Sequence, residues 1–297
     1  MRGMEYVLNE QSLKGQYADG DRFAIEGMTP LLGVIQTLSS FGVSDILKIS
    51  TFYNSEVAPD KKLHELMQGR MSAPVLAVCS RLSRMQGEPF WDQTPRQDFS
   101  KHYFIQRPGE GDAVEDEDVS GTGVAEAYAR QGCMISFTGG GYDEATERVR
   151  CEDDPEYGDT PMTNLHDREE TEQFLFDSGQ IDYQGYIKSR YSGKFVYDEL
   201  SPNHGLNLVN RYNFREFVNS FRDFEDYTWQ QIITSDGFDY KEFHKNKNTK
   251  AYFTQEQWDK GIYKFRITQE IRCFGHREGD RFYLYRIDLD HILSDKG

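Results

Sequence analysis

The chain has 297 residues, of which 37% are hydrophobic and 14% aromatic, and its net charge is −16. This length allows one large domain or two ordinary ones, and the aromatic rings supply enough buried area to exclude a disordered chain. No apolar run approaches the roughly 20 residues of a membrane helix, and the N-terminus lacks the apolar stretch of a signal peptide. We therefore expect a cytoplasmic protein without a membrane partner.

The cysteines and histidines give no sign of a metal site. The four cysteines, Cys79, Cys133, Cys151 and Cys273, include no CxxC pair, which argues against a zinc knuckle and against a disulfide framework. None of the seven histidines pairs with another at a metal-ligand spacing. We therefore predict neither a bound metal nor a small-molecule cofactor.

The first predicted elements are helices and one short ambiguous segment. Thr29 and Pro30 can begin a helix, because apolar residues recur at helical spacing from there up to Gly42. Residues 44–53 alternate in a way that suits a strand or a short helix. Residues 60–86 are predicted to form two helices separated by a break.

An acidic segment and a glycine run follow. The sequence EGDAVEDED (110–118) places six acids in nine residues, and it lies within residues 107–123, for which we predict a solvated surface loop. A helix at GVAEAYARQ and a strand at CMISFTG come next, and three consecutive glycines end that strand at 139–141. A phosphate-binding loop can occupy such a position. However, the glycine-rich nucleotide motifs are absent and acidic residues follow, so the pattern favours a turn.

The remaining predicted elements are helices and then strands. Residues 165–176 are predicted to be helical, and residues 181–198 to be a strand or an extended segment. From residue 205, phenylalanines recur at helical spacing, which predicts one or two amphipathic helices with an aromatic face. Three strand-like runs end the chain, at 263–268, 270–278 and 281–289, and Gly279-Asp280 suits a tight turn between the last two.

Together these elements predict an α+β fold in two domains. The N-terminal domain, residues 1–204, is mixed, and the C-terminal domain, residues 205–297, combines helices with an antiparallel sheet. Residues 241–286 contain 11 Lys and Arg against 6 Asp and Glu, a local net charge of +5, which leaves −21 elsewhere. Such asymmetry is a signal of a binding partner rather than of a fold. The acidic domain is interpreted as a sensor, a partner-binding part or an inhibitory part.

Residues 226–291 carry a more specific pattern. The segment begins with a helix that ends near a tryptophan, followed by a short strand. The runs YKFRI and IRCFG come next, and then a turn and a last strand that leads into Asp290-His291. This pattern resembles that of the RelE/ParE-like toxins. In their fold, helices pack on a twisted antiparallel sheet, and many members cleave messenger RNA without a metal. The resemblance implies that Arg266 and Arg272 are the family's sheet arginines. It also implies that Asp290-His291 lies where the last catalytic residues occur.

The residue types themselves suit metal-independent RNA cleavage. That reaction requires an activated 2′-hydroxyl, a neutralised phosphate and a proton for the leaving 5′-oxygen, and arginine can bind two phosphate oxygens while histidine or tyrosine transfers protons. Bases of single-stranded RNA can stack on tyrosine rings. The predicted catalytic residues are Arg266, Arg272 and His291, and the predicted RNA-binding residues are Lys264, Arg277, Arg281, Tyr283, Tyr285 and Arg286.

The end of the pattern departs from the family. The run Ile292-Leu293-Ser294-Asp295 stands where a tyrosine commonly closes the motif, so His291 is the only candidate for proton transfer there. The arginines can also have a purely structural role, as cross-strand ion pairs with acids of the same strands. These acids are Glu270, Glu278, Asp280, Asp288 and Asp290.

We therefore predict an RNA-binding or RNA-cleaving effector of a bacterial toxin or antiviral defence system. Its partner would be RNA or a protein. The first alternative is a non-catalytic interaction subunit of a larger complex, because tyrosine, tryptophan and arginine dominate binding energy at interfaces. The second is a magnesium-dependent nuclease built on Asp239 and Lys241, with Asp223 or Asp226 as a further carboxylate.

Overall fold

The computed structural model of the chain describes residues 4–68, 71–108, 114–152, 160–291 and 293. The chain divides into two compact units, Met1–Thr171 and Glu172–Gly297. Both contain helices and strands, so the predicted α+β class is confirmed. No helix within the described ranges is long and apolar enough to cross a membrane.

The first half of the N-terminal unit is built around one long helical segment. The carboxylate of Asp19 accepts the backbone N–H groups of Asp21 and Arg22 and so caps the start of this segment. The predicted start at Thr29 lies inside it, and the Thr29 hydroxyl donates to the Ala24 carbonyl oxygen instead of capping. The elements are β1 (Tyr6–Leu8), α1 (Gly20–Arg22), a π-helical turn (Phe23–Met28), α2 (Thr29–Ser40), β2 (Ile46–Leu47), β3 (Glu56–Ala58), β4 (Lys61–Lys62) and α3 (Ala73–Arg84).

The second half of this unit contains most of its strands. Part of the segment 107–123, which was predicted to be a surface loop, forms a strand. Its acids pair with cations of the same sheet and so stabilise the strand: Glu117 with Arg107 at 2.9 Å, and Asp116 with Arg150. Residues 109–113 of that prediction lie outside the described residues. The elements are β5 (Tyr103–Pro108), β6 (Val114–Asp118), α4 (Gly123–Ala129), β7 (Cys133–Ile135), β8 (Thr146–Cys151), β9 (Thr160–Leu165) and α5 (Arg168–Asp177), with the division between the units falling inside α5.

A seven-stranded mixed sheet organises the N-terminal unit, in the order β2-β1-β7-β9-β8-β5-β6. The neighbours among β2, β1, β7 and β9 are parallel, and the remaining neighbours are antiparallel. The carboxyl ends of four parallel strands therefore meet at one edge. Buried residues of the sheet and of α4, among them Val7, Ile105, Val124, Met134 and Val149, form one hydrophobic core.

The triple glycine forms a packed turn after β7. Gly139 and Gly141 have φ angles of +79° and +84°, which favour glycine. A Cβ atom at Gly140 would overlap the carbonyl oxygen of Ser12. The Gly139 N–H donates to the Asp143 carboxylate, so an acid occupies the position where a phosphate would sit.

The C-terminal unit begins earlier than the predicted boundary at residue 205. The strand Phe195–Val196 pairs with the last strand, Arg281–Asp288, and this contact joins residues before 205 to the C-terminal sheet. The stretch predicted as a strand or an extended segment at 181–198 is helical over residues 183–190, because the Asp182 carboxylate accepts the Gly185 N–H and caps a helix there. The elements are α6 (Tyr183–Arg190), β10 (Phe195–Val196), α7 (Phe214–Asp226), α8 (Trp229–Thr234), β11 (Lys241–Phe243), α9 (Gln255–Asp259), β12 (Ile262–Arg266), β13 (Arg272–Glu278) and β14 (Arg281–Asp288).

The C-terminal sheet has the order β10-β14-β13-β12-β11, and all its neighbours are antiparallel except β10 and β14. The three predicted terminal strands and the turn at Gly279 are thereby confirmed. The predicted aromatic helix is α7, and its Phe221 and Phe224 rings pack on Phe195 and Phe265 of the sheet. The opposite face carries a second apolar cluster, consisting of Phe243, Phe253, Ile262, Phe274, Tyr285 and Leu293, with Tyr252, Trp258 and Tyr283 packed against it.

Candidate functional site

Four of the predicted cationic residues share one face of the C-terminal sheet. Arg266 lies opposite Arg272 in the register of β12 and β13, and two residues along, Lys264 and Arg286 both lie opposite Phe274. Side chains alternate between faces along a strand, so these four point to the same side. This is the face that carries the second apolar cluster.

Arg277 lies on the other face. It is opposite Phe282 in the register, and its guanidinium carbon lies 4.1 Å from the centre of the Trp229 ring in α8. Arg281 is exposed near the turn, where one of its N–H groups donates to the Phe195 carbonyl oxygen at 3.4 Å. The predicted arginines are therefore not gathered into one continuous phosphate-binding surface.

Two of the four shared-face cations are buried. Arg272 is 3% exposed, and its Nη1 donates to the carbonyl oxygens of Thr268 and Ile271. Lys264 is 6% exposed, with its Nζ 5.3 Å from the centre of the Phe243 ring. Neither side chain is placed to meet a phosphate, which does not fit the predicted catalytic role of Arg272 or the RNA-binding role of Lys264.

Arg266 is half-buried and engaged by an acid. Its Nη2 lies 3.3 Å from Asp239 Oδ2, and Lys241 Nζ lies 3.1 Å from the same oxygen. Asp239 is therefore paired with two cations instead of facing a second carboxylate. Within the described ranges, no group of three or more His, Cys, Asp or Glu side chains could hold a metal ion.

A histidine of β13 contacts two tyrosines of the neighbouring strand β14. The hydroxyl of Tyr285 lies 2.6 Å from Nδ1 of His276, and the His276 ring stacks on Tyr283 at 4.6 Å. Tyr285 is 2% exposed and His276 is 4% exposed. A base cannot stack on a ring as buried as Tyr285, whereas Tyr283 remains half-buried.

The fourth cation, Arg286, lines a groove of about 250 Å³ where β14 ends. The loop opposite is held against β14 by two backbone hydrogen bonds, from the Ser201 N–H to the Tyr285 carbonyl oxygen and from the Ile287 N–H to the His204 carbonyl oxygen. This pairing brings the His204 side chain to the same groove. The lining residues are His204, Leu208, Tyr252, Arg286, Ile287, Asp288, Leu289, Asp290 and Leu293.

The electrostatics of this groove favour a neutral histidine beside a charged arginine. Burial, followed by the positive charge of Arg286, lowers the pKa of the His204 imidazole, although Asp288 acts in the opposite direction. The ring is therefore neutral at neutral pH. Burial also lowers the pKa of Arg286, but a guanidinium remains charged in proteins.

Arg286 retains hydrogen-bonding capacity within the described part of the chain. Its guanidinium carbon lies 5.3 Å from the centre of the Tyr252 ring, and its Nε is buried without a hydrogen-bond partner there. A buried donor without a partner costs free energy, about 1–3 kcal/mol, unless a bound group accepts from it. The groove therefore presents one cation and one neutral imidazole to a ligand.

His291 lies just beyond this groove. It follows the lining residue Asp290 and is half-buried, with a φ angle of +61°. Ile292 and residues 294–297, which complete the departure from the family pattern, lie outside the described residues. The structure thus places His291 near the end of β14, as the order of the chain requires.

His204 and Tyr252 are two groove residues to which the sequence assigned no role. His204 lies in a loop, and neither a spacing nor a motif connects it to Arg286. The contact arises because that loop runs alongside β14, which is a long-range feature of the fold. Compared with protein-family models, with curated proteins and with solved structures, the chain matches none of them.

Proposed function

We propose that the C-terminal unit binds single-stranded RNA at the groove of His204 and Arg286 and cleaves it without a metal. The observation that carries this proposal is that His204 and Arg286 line the same groove, with a neutral imidazole beside the guanidinium. A neutral imidazole can accept the proton of a 2′-hydroxyl as that oxygen bonds to phosphorus, and a guanidinium can bind the phosphate oxygens. The bond from phosphorus to the 5′-oxygen breaks, and the leaving 5′-oxygen takes a proton from solvent. The resemblance to RelE/ParE-like toxins stays a prediction and points to the same chemistry.

The roles differ from those predicted from the sequence. Arg286 takes the phosphate contact that was assigned to Arg266 and Arg272, because those two side chains already have acidic or carbonyl partners. Tyr252 supplies a half-buried ring at the groove on which a base can stack.

Two acids also line the groove and oppose phosphate binding. Asp288 accepts the Leu293 N–H at 3.0 Å and lies opposite Arg272 in the register, so a neighbouring cation offsets its charge. Asp290 follows at the rim. We therefore assign to Arg286 the binding of one phosphate group, and not of a long stretch of the RNA backbone. We expect short RNA to bind nearly as well as long RNA.

The test uses the full-length protein with a fluorescently labelled single-stranded RNA in a buffer containing a chelator. Arg286→Gln should weaken RNA binding about tenfold or more, because a charge-assisted hydrogen bond is worth about 1.5–3 kcal/mol. His204→Gln should keep the affinity and slow cleavage by about 10²-fold or more. Arg222→Gln is the matched control, since Arg222 is exposed on α7 and pairs with Asp223.

The outcomes separate binding from cleavage. Failure of the wild-type protein to bind RNA overturns the proposal, as does equal binding by Arg286→Gln. Binding without cleavage removes the enzymatic part. Growth inhibition on expression, lost in the same variants, would support a toxin or antiviral role.

The alternative of a non-catalytic interaction subunit has less support. Two acids of β6 are paired with arginines of the same sheet: Asp116 with Arg150, and Glu117 with Arg107. Such pairs leave less negative charge for a basic partner. A stoichiometric protein partner in a pulldown, without nuclease activity, would favour this alternative.

A further inference from the structure

A second cavity lies in the N-terminal unit, alongside β2 and next to the last residue of β1. Its volume is about 580 Å³, which falls within the usual range for small-molecule sites. Leu8 is the last residue of β1, and Lys48 directly follows β2, which pairs with β1 in parallel. Ser44, Ile46 and Lys48 alternate along the chain, so they line the cavity from one face of β2.

Lys48 is a buried cation in the wall of this cavity. It is 4% exposed, and its Nζ donates to the Gly87 carbonyl oxygen and lies 4.9 Å from the centre of the Phe90 ring. Within the described ranges, no carboxylate lies within ion-pair distance of this Nζ. Burial alone lowers its pKa.

A buried ammonium without an anion is unfavourable. Desolvation disfavours the charged form, and buried charges in proteins are normally paired. One neutral carbonyl and one ring face do not replace a counter-ion. An anion bound in the cavity would therefore supply the counter-ion that the Lys48 ammonium lacks.

The other residues that line the cavity indicate the chemistry of the rest of the ligand. Leu8, Leu32, Ile35 and Ile46 form an apolar part, whereas Gln36 and serines of α2 supply polar groups. An occupant with an apolar body and one polar end fits this distribution better than a sugar or a nucleotide, which would leave the apolar wall unmatched.

Two exposed charges complete the lining. Arg81 of α3 adds a second cation, and Glu88 adds one negative charge. The net charge of the three lining ionisable groups is therefore +1. A singly charged carboxylate balances this charge, whereas a doubly charged phosphate would exceed it.

We propose that this cavity binds a small carboxylate with an apolar body, with its carboxylate against Lys48 Nζ and its body against Leu32 and Ile35. The site is separate from the RNA groove and does not depend on it. Its occupant acts as a ligand of the N-terminal unit, a role that suits a sensor.

The experiment titrates octanoate into the full-length protein and follows binding by calorimetry. We expect saturable binding at millimolar or lower concentration. 1-Octanol, which has the same chain length without the charge, should bind at least tenfold more weakly. This comparison uses only the wild-type protein, so it does not depend on the folding of any variant.

The variants localise the site. Lys48→Met removes the charge but keeps an unbranched side chain, and it should weaken octanoate binding at least tenfold, while Arg81→Gln should weaken it several-fold. Lys61→Met is the control, because Lys61 is exposed on β4 and does not line this cavity. Circular dichroism confirms that each variant is folded.

Three results would overturn the proposal. They are the absence of saturable octanoate binding to the wild-type protein, equal binding of octanoate and 1-octanol, and equal affinity of Lys48→Met and the wild type. The RNA-binding assay is unaffected by each of them.

Discussion

The guanidinium carbon of Arg107 lies 4.0 Å from the centre of the Tyr142 ring, so the arginine covers the face of a fully buried tyrosine. The same guanidinium contacts Glu117 at 2.9 Å and Glu147 at 3.2 Å. Burial raises the pKa of Tyr142 to about 12. Arg107 therefore connects β5, β6, β8 and the turn after the triple glycine.

Removing Arg107 should destabilise the N-terminal unit strongly. The side chain of Glu147 is 5% exposed, so Arg107→Met would leave a buried carboxylate without its cation. Loss of one partner of a buried pair costs about 3–5 kcal/mol. We expect urea unfolding of Arg107→Met to show a loss of this size.

The double variant Arg107→Met/Glu147→Gln is the matched control and should recover part of the loss. Burial raises the pKa of Glu147, and Arg107 lowers it. The pKa of Glu147 therefore rises further in Arg107→Met. The single variant should gain stability relative to the wild type as the pH falls toward that raised pKa. An unchanged free energy of unfolding in Arg107→Met would contradict this role.

The packed turn after β7 makes Gly140 sensitive to substitution. A Cβ atom at this position would meet the Ser12 carbonyl oxygen, so Gly140→Ala must move the turn or the Ser12 segment. Overpacking of this kind typically costs about 1–3 kcal/mol. Thermal unfolding should show the loss, whereas Gly87→Ala, where a Cβ meets no atom within 4 Å, should leave the melting temperature nearly unchanged.

The stability of the C-terminal unit should fall as the pH is lowered. Burial lowers the folded-state pKa of His276 below its ordinary value of 6.5, so the unfolded chain binds more protons below that pH. The stability is therefore present above about pH 6.5 and is lost as the pH falls toward the folded pKa. The slope for one such group reaches about 1.4 kcal/mol per pH unit.

His276→Phe keeps a ring at this position and should reduce the slope. His204, whose pKa is also lowered, contributes in the same direction. The exposed His244 is the control, and His244→Gln should keep the wild-type slope. Urea unfolding between pH 5 and 8 measures all three proteins, and a slope unaltered in His276→Phe would exclude His276 as its source.

The proposed RNA cleavage should depend on pH through His204. A general base is inactive when protonated, so the single-turnover rate should rise with pH until the lowered pKa of His204 is passed and then stay level. His204→Gln should be slow and nearly independent of pH. A wild-type rate that is flat from pH 5 to 8 would remove His204 as the base.

The sequence by itself determined the elements whose signal is local. Phenylalanines at helical spacing predicted α7, and alternation with a turn at Gly279 predicted the last two strands, because periodicity directly reflects which side of an element is buried. It did not indicate the helix at 183–190, where an aspartate cap decided the conformation against an alternating pattern.

Only the tertiary structure decided the environments of the charged side chains. The sequence showed that Arg266, Arg272 and Arg286 were present, but their partners come from register, loops and distant strands. Arg272 was thereby placed against backbone carbonyls, and Arg286 beside His204. Burial and pairing depend on long-range packing, which a local pattern does not encode, and these decide what a cation can bind.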